Sequence, residues 1–254
     1  MATRPYWSET EMIAEFEGAE ILAIGDSWFW YPKNNLINTI FRWSGGKTVL
    51  VLGANGAEAV ELTHPIYFKQ FSDCVKTYEK IRAVLISGGG NDFAGLDDFS
   101  ALLDAPCSGA TTPKDCFKLG QPARLFRNVT DAYKQLIDVV VARRPEAKVF
   151  VHQYDYAIPT GLGFLGLGQW LKAPMDACKV KPTMQQAVVS YLIDKFGEAL
   201  TQLEGQYPGK VVFLRTAGTL SADEWSNELH PTVPGFNKMA KKNWVPAINA
   251  QFKA

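Results

Sequence analysis

Five short runs, EILAIG (20–25), KTVLVLG (47–53), RAVLISGG (82–89), AKVFVHQY (147–154) and KVVFLRT (210–216), are continuously apolar and rich in β-branched residues. A strand with one wet face alternates apolar with polar residues, and these do not. Each is therefore expected to be buried on both faces, as in a parallel sheet covered by helices on either side. The stretches between them carry helical spacing, roughly over 65–80, 127–144, 184–204 and 235–251. In NVTDAYKQLIDVVVARR, for example, Val129, Tyr133, Leu136, Ile137 and Val140 recur three and four residues apart and form one apolar stripe. Strand and helix in alternation predict a doubly wound α/β domain with a mainly parallel, about five-stranded sheet and right-handed crossovers. At 254 residues, with no internal repeat or low-complexity linker, the chain reads as one domain.

The charge balance narrows the class of partner. Twenty-six basic side chains offset 26 acidic ones, which gives no electrostatic footprint for nucleic acid or an anionic membrane. No run reaches the roughly 18 apolar residues of a membrane span. The opening MATRPYWSETEMIAEFEGAE lacks the apolar core of a signal peptide, so the sequence as written points to the cytoplasm. A secreted or periplasmic protein is the alternative if a leader has been removed. Cys74, Cys107, Cys116 and Cys178 lack CxxC pairing, which argues against a metal cluster. Cys107 and Cys116 flank the loop CSGATTPKDC, where a local disulfide is one of two readings and would place the protein outside the cytosol.

Two stretches fit neither strand nor helix: residues 93–125, and residues 157–182 with IPTGLGFLGLGQWLKAP. Both are expected to project from the carboxyl edge of the sheet, where open α/β folds bind ligands. The first three strands also end there in small-residue clusters: Gly25-Asp26-Ser27, Gly53-Ala54-Asn55-Gly56 and Gly88-Gly89-Gly90-Asn91-Asp92. Side by side, these ends would bring a hydroxyl, backbone N–H donors and a carboxamide into one crevice. A serine nucleophile needs a base within hydrogen-bond reach and donors aimed at the developing oxyanion. Ser27 is the candidate nucleophile, and the Ser27 N–H, Gly56 N–H and Asn91 amide are the candidate hole. Three histidines are available for the base. His64 precedes Pro65 at a helix start and reads as a capping or surface residue, His152 within the fourth strand as a core residue, and His230 in WSNELHPTVPGF as the base.

Gly25-Asp26-Ser27, the glycine of GANGAEA, GGND at 89–92 and the late His230-Pro231 resemble, in order and spacing, blocks I, II, III and V of the SGNH hydrolases, also called GDSL esterases and lipases. The blocks span residues 25–231. The resemblance implies a flavodoxin-like three-layer α/β/α fold and hydrolysis of a small-molecule or lipid-like ester without metal or organic cofactor. Ser27, Gly56, Asn91 and His230 would be the four name-giving residues. Two positions depart from the family pattern. Trp28 stands where leucine is usual, and Asn227 stands three residues before the histidine where the family has aspartate. Asparagine can orient His230 through its carbonyl oxygen but offers no full charge to an imidazolium. Glu228, Asp223 and Glu224 are the local acids that could serve instead, and each also reads as loop surface.

Substrate is less constrained. Trp28, Phe29, Trp30 and Tyr31 follow the nucleophile and divide between core and acyl-pocket readings, with Trp28 and Trp30 as candidate contacts. GLGFLGLGQW (161–170) reads as an apolar flap or as a loop packed on its own domain. Tyr154 and Asp155 sit past the fourth strand, where Asp155 serves either substrate or a turn. The leading expectation is a carboxylic esterase with a hydrophobic acyl or aromatic substrate part. A carbohydrate acetylesterase, a thioesterase or lysophospholipase, and a degenerate, non-catalytic binding module are the alternatives.

Overall fold

A computed structural model describes residues 4–15, 17–32, 34–163 and 170–253. The five apolar runs are strands β1 (Ile21–Gly25), β2 (Val49–Gly53), β3 (Ala83–Ser87), β4 (Lys148–His152) and β5 (Val211–Leu214). They form one parallel sheet in the order β2-β1-β3-β4-β5, the order of flavodoxin-like folds. Every residue of β1 and β3 is buried, which is why neither strand alternates. Ile21, Leu22 and Ile24 are sealed completely. Each such side chain contributes about 1.5–3 kcal/mol relative to exposure.

The helices are α1 (Glu9–Ala14), α2 (Ser27–Trp30), α3 (Leu36–Trp43), α4 (Pro65–Thr77), α5 (Leu96–Leu102), α6 (Gln121–Arg143), α7 (Lys172–Ala177), α8 (Pro182–Gln206), α9 (Val233–Met239) and α10 (Val245–Lys253). Helix α4 packs on α6 and α6 on α8, while α3 packs on α9 and on the turn that follows it, so helices flank the sheet in a three-layer arrangement. Phe126, Val129, Tyr133, Leu136, Ile137 and Val140 form the buried stripe of α6, which begins six residues earlier than the spacing alone predicts. Pro122 explains the early start, because a proline in the first turn surrenders only an N–H that has no helical partner. The last helical region is broken by a π turn at Ala240–Trp244. Pro246 lies just beyond it and cannot donate to the carbonyl four residues back, so the helix bulges ahead of it.

The stretch 93–125 is more ordered than the sequence suggests: it holds α5 and two short 3-10 turns, Cys107–Gly109 and Pro113–Cys116. All four cysteines are buried free thiols, so no disulfide joins Cys107 to Cys116. Burial pushes the Cys107 thiol up to about 12. No helix among the described residues is long and apolar enough to cross a membrane.

The register places the site. Gly25 pairs with Gly53 on one side and with Ser87 on the other, so β1, β2 and β3 end flush. Glycine is required at that line. A Cβ on Gly25 would lie 2.6 Å from the Ser87 carbonyl oxygen, and one on Gly53, whose φ is +101°, would lie 2.1 Å from the Gly25 oxygen. The loops after the three strands therefore start level, at the point where the crossovers reverse direction and a crevice opens.

Candidate active site

Ser27 is the first residue of α2, and the preceding Asp26 caps that helix by accepting the Trp28 N–H at 3.0 Å. The same carboxylate accepts the Ser87 hydroxyl at 2.8 Å and the Tyr154 hydroxyl at 2.6 Å. Burial pushes the Asp26 carboxyl up, while the hydrogen bonds from Tyr154, Ser87 and Trp28 pull it down. Tyr154 also accepts the Gly90 N–H at 3.1 Å, which ties the loop carrying Asn91 to the turn carrying Ser27. Behind them, His152 lies 3.0 Å from Ser87 Oγ and accepts the Tyr154 N–H at Nδ1, 3.3 Å. Burial lowers its pKa to about 3, so it is a neutral core histidine that fastens β4 to β3.

His230 reaches Ser27 from the loop before α9. Its Nε2 lies 2.7 Å from Ser27 Oγ and its Nδ1 lies 3.1 Å from Asn227 Oδ1. The orientation of the Asn227 amide follows from its other partners. The backbone N–H groups of Leu229 and His230 both donate to Oδ1, at 2.9 and 2.8 Å. The carbonyl end must therefore face the ring, so Nδ1 is the donor and Nε2 keeps its lone pair for the serine hydroxyl. Tyr31 stacks on the imidazole with centroids 4.2 Å apart and planes 13° from parallel. His230 is only 7% exposed, and burial lowers its pKa to about 4. It is neutral, and able to accept a proton, well into the acid range.

The remaining donors gather around the same cavity. A space of about 290 Å³ opens over Ser27 and is lined by Gly56, Asn91, His230, Tyr31 and Trp170. The Ser27 N–H, in the first turn of α2, and the Gly56 N–H, in the turn after β2, donate to no protein acceptor among the described residues. Asn91 gives one amide hydrogen to the Ala57 carbonyl at 2.9 Å and keeps a second. Asp92 accepts the Ala59 N–H at 2.8 Å, so the neighbouring side chains Asn91 and Asp92 together brace the segment that follows Gly56. Burial, with Glu58 and Asp26 nearby, raises Asp92 to about 7.

The local acids are employed elsewhere. Glu228 is fully buried and points away from His230, accepting the backbone N–H groups of Gly161, Trp170, Leu171 and Lys172 at 2.9–3.0 Å. It is a clasp for the two ends of the 161–172 segment, a role the sequence could not show because the partners are backbone groups far along the chain. Glu224 closes a capping box with Ser221 and pairs with Lys238, and Asp223 is exposed beside it. Asp155 accepts four backbone N–H groups, from Tyr156, Gly218, Thr219 and Leu220, and so stabilises the turns after β4 and β5. His64 is exposed ahead of α4 and makes no side-chain cap. Of the predicted flap, residues 164–169 lie outside the described residues.

The four aromatics after Ser27 have separate duties. The Trp28 indole N–H donates to the Leu229 carbonyl at 3.0 Å, and its rings pack on His152, Tyr154 and Phe236. Phe29 is sealed against Trp244. The Trp30 indole N–H donates to the Leu52 carbonyl at 3.0 Å and its ring meets Trp7 edge-on, so it braces β2. Tyr31 backs the histidine. No group of three or more His, Cys, Asp or Glu side chains among the described residues is arranged to hold a metal ion.

No family model matches the chain, and no curated protein matches it. Solved structures do. A lipase from a goat rumen metagenome superposes with a TM-score of 0.56 at 15% identity, over 91% of this chain and 97% of its own. The aryl esterase of M. smegmatis gives 0.54 at 15% identity, over 93% and 99%. A carbohydrate acetylesterase from Sinorhizobium meliloti gives 0.54 at 13% identity, over 92% and 98%. The likeness runs nearly end to end in each pair. The chain therefore has the fold of the SGNH, or GDSL-type, hydrolases.

Proposed function

We propose that the protein is a cofactor-independent serine hydrolase of carboxylic esters. The observation that carries this reading is the hydrogen-bonded line from Ser27 Oγ through His230 to Asn227 Oδ1, with steps of 2.7 and 3.1 Å, at the mouth of a cavity bordered by unused N–H donors. In the first half-reaction, Ser27 Oγ attacks the carbonyl carbon while its proton passes to His230 Nε2. The carbonyl oxygen becomes an oxyanion facing the Ser27 N–H, the Gly56 N–H and the Asn91 amide, donors typically worth about 2.7–4 kcal/mol each in the transition state. The intermediate then collapses. The carbon–oxygen bond to the alcohol breaks, the alcohol oxygen takes the proton from Nε2, and an acyl-serine remains. Water repeats the sequence on the acyl-serine, with His230 again as base, and frees the acid.

Asn227 holds the Nδ1–H tautomer without an anion beneath it. The Nε2 lone pair so directed at Ser27 Oγ, 2.7 Å away, supports an active enzyme over a degenerate one. The test is hydrolysis of p-nitrophenyl acetate by the wild type beside Ser27→Ala. Turnover that survives the substitution refutes Ser27 as nucleophile. No turnover of any ester by the wild type favours a binding module on the same fold.

A further inference from the structure

The inference concerns how an ester is divided between two cavities, and it rests on the proposed function. The tetrahedral carbon formed on Ser27 carries four groups: Oγ, the oxyanion, the leaving oxygen and the acyl chain. The oxyanion has to face Gly56 and Asn91. The leaving oxygen has to lie within reach of His230 Nε2, the nitrogen that returns the proton. Gly56, Asn91 and His230 all border the open cavity of about 290 Å³.

On the other side of Ser27 lies a narrow space of about 30 Å³, which shares Ser27, Asn91 and Leu229 with the first but touches neither His230 nor Gly56. Its walls include Trp28, Phe93, Leu171, Val189, Ile193 and Trp225. Asp26 and Asp155 also border it. Their carboxylates are consumed by the internal hydrogen bonds from Trp28, Ser87 and Tyr154, and from the turns after β4 and β5. The Tyr154 hydroxyl at its border is likewise spent on Asp26 and Gly90, so among the described residues the space offers an apolar surface and no free group to protonate an alkoxide. It suits the acyl chain and not the alcohol.

Size then sets the chain length. A water occupies about 10–15 Å³ of such space, and an engineered apolar cavity of about 150 Å³ takes up benzene. A space of about 30 Å³ holds two or three heavy atoms beyond the carbonyl carbon. The walls are poorly placed to recede: Val189 and Ile193 sit one turn apart on the buried face of α8, and Trp28 is fastened to the Leu229 carbonyl. The open cavity is nearly ten times larger and is edged by Tyr31, Pro32 and Trp170, surfaces that suit a ring. We propose that the protein cleaves two- to four-carbon acyl groups from large, ring-bearing alcohols, with the acyl chain in the narrow cavity and the alcohol in the open one.

The test uses two ester series on the full-length protein with Ser27→Ala alongside. Across p-nitrophenyl acetate, butyrate and octanoate, kcat/KM is expected to fall at least tenfold from butyrate to octanoate. Across ethyl acetate, benzyl acetate and acetylated glucose, a ring-bearing ester is expected to exceed ethyl acetate at least tenfold, and the two ring arms distinguish an aryl alcohol from a sugar. Ile193→Ala, which widens the narrow cavity, is expected to raise the octanoate-to-acetate ratio at least tenfold. Ala157→Leu, at the rim of the same cavity, is expected to lower the butyrate-to-acetate ratio and stands in if the first variant does not fold. Ser27-dependent turnover with a flat chain-length profile, or ratios that neither variant moves, overturns the acyl assignment alone. Equal rates on ethyl and ring-bearing acetates overturn the alcohol assignment. Turnover that does not depend on Ser27 overturns the proposed function and this inference with it.

Discussion

Replacing Asn227 with aspartate would place a negative charge about where Oδ1 now lies, 3.1 Å from His230 Nδ1. The pocket is prepared for it: two backbone N–H groups already donate to that oxygen, and the Tyr31 hydroxyl sits 3.4 Å from the amide nitrogen that becomes the second oxygen. In the wild type, burial alone holds His230 at about 4. At an effective dielectric constant of about 20, two charges at that separation attract by roughly 5 kcal/mol, equivalent to nearly four pH units. The aspartate's own desolvation offsets part of this, and a carboxylate neighbour characteristically moves a partner by about 1–3 units. His230 in Asn227→Asp is therefore expected at about 5–7. The sign is fixed by the chemistry: His230 has to be neutral to take the serine proton, so activity falls on the acid side of its pKa. The acid limb of kcat/KM should move up by about 1–3 pH units in the variant. On the plateau above it, the ion pair forms as the proton transfers and the rate should rise by about 10- to 100-fold. The gain stays well short of the about 10⁴ lost when a protease triad aspartate becomes asparagine. That loss reflects a wrong tautomer, and here the loop backbone already enforces the right one. The assay is p-nitrophenyl acetate hydrolysis from pH 4 to 9, read at the isosbestic wavelength of p-nitrophenol. A wild-type acid limb at 6.5 or above, or a limb that Asn227→Asp leaves in place, would refute this account of His230.

Other substitutions separate the remaining roles. Ser27→Ala should lower kcat by about 10⁶, the scale seen when a triad nucleophile is removed, and Asn227→Ala by much less, about 10–10³. Equal losses in the two would mean that Asn227 does more than orient. Glu228→Gln turns one acceptor end into a donor facing backbone N–H groups, and should cost about 1–3 kcal/mol of stability. A melting temperature lower by roughly 3–10 °C is then expected, and an unchanged one would contradict the clasp. Asp92, raised to about 7 when folded, favours the folded state fully below its unfolded pKa near 3.8, and that contribution is lost as pH rises toward 7. Asp92→Asn keeps an acceptor for the Ala59 N–H and cannot ionise. Its melting temperature relative to the wild type should therefore climb between pH 4 and 8, and a constant difference would show that the carboxyl is not held protonated.

The sheet was legible because burial on both faces leaves an uninterrupted apolar signature, and no bound of the five strands differs from the sequence reading by more than two residues. That Ser27, Gly56 and Asn91 come together was legible because each follows a strand end, and the register of a parallel sheet lines those ends up. His230 stood out by scarcity. What stayed hidden depends on contacts between segments distant in sequence. Glu228 looks like loop surface until Gly161 and Trp170 fold over it, and Tyr31 looks like core until His230 arrives beside it. Asp155 was left between substrate and turn, and its four backbone donors decide for the turn. The order within 93–125 was missed because α5 and the 3-10 turns are too short to carry a readable period.

The network around Asp26 bears on how the proposed activity would be lost on heating. Asp26 joins the turn of Ser27 to Ser87 on β3, and through Tyr154 and His152 to β4. The position of the serine is thus inherited from three central strands, the part of such a fold that opens last. The histidine lies on the loop between a 3-10 turn at Ala222–Glu224 and the short helix α9, held by the Trp225–Pro231 bridge, by the Trp28 indole at Leu229 and by the Glu228 clasp to residues 161–172, all outside the sheet. Warming loosens a loop before it loosens a sheet, so the two partners come apart through motion of the base. Inactivation should precede unfolding, leaving an intact fold in which a fixed serine has lost its histidine.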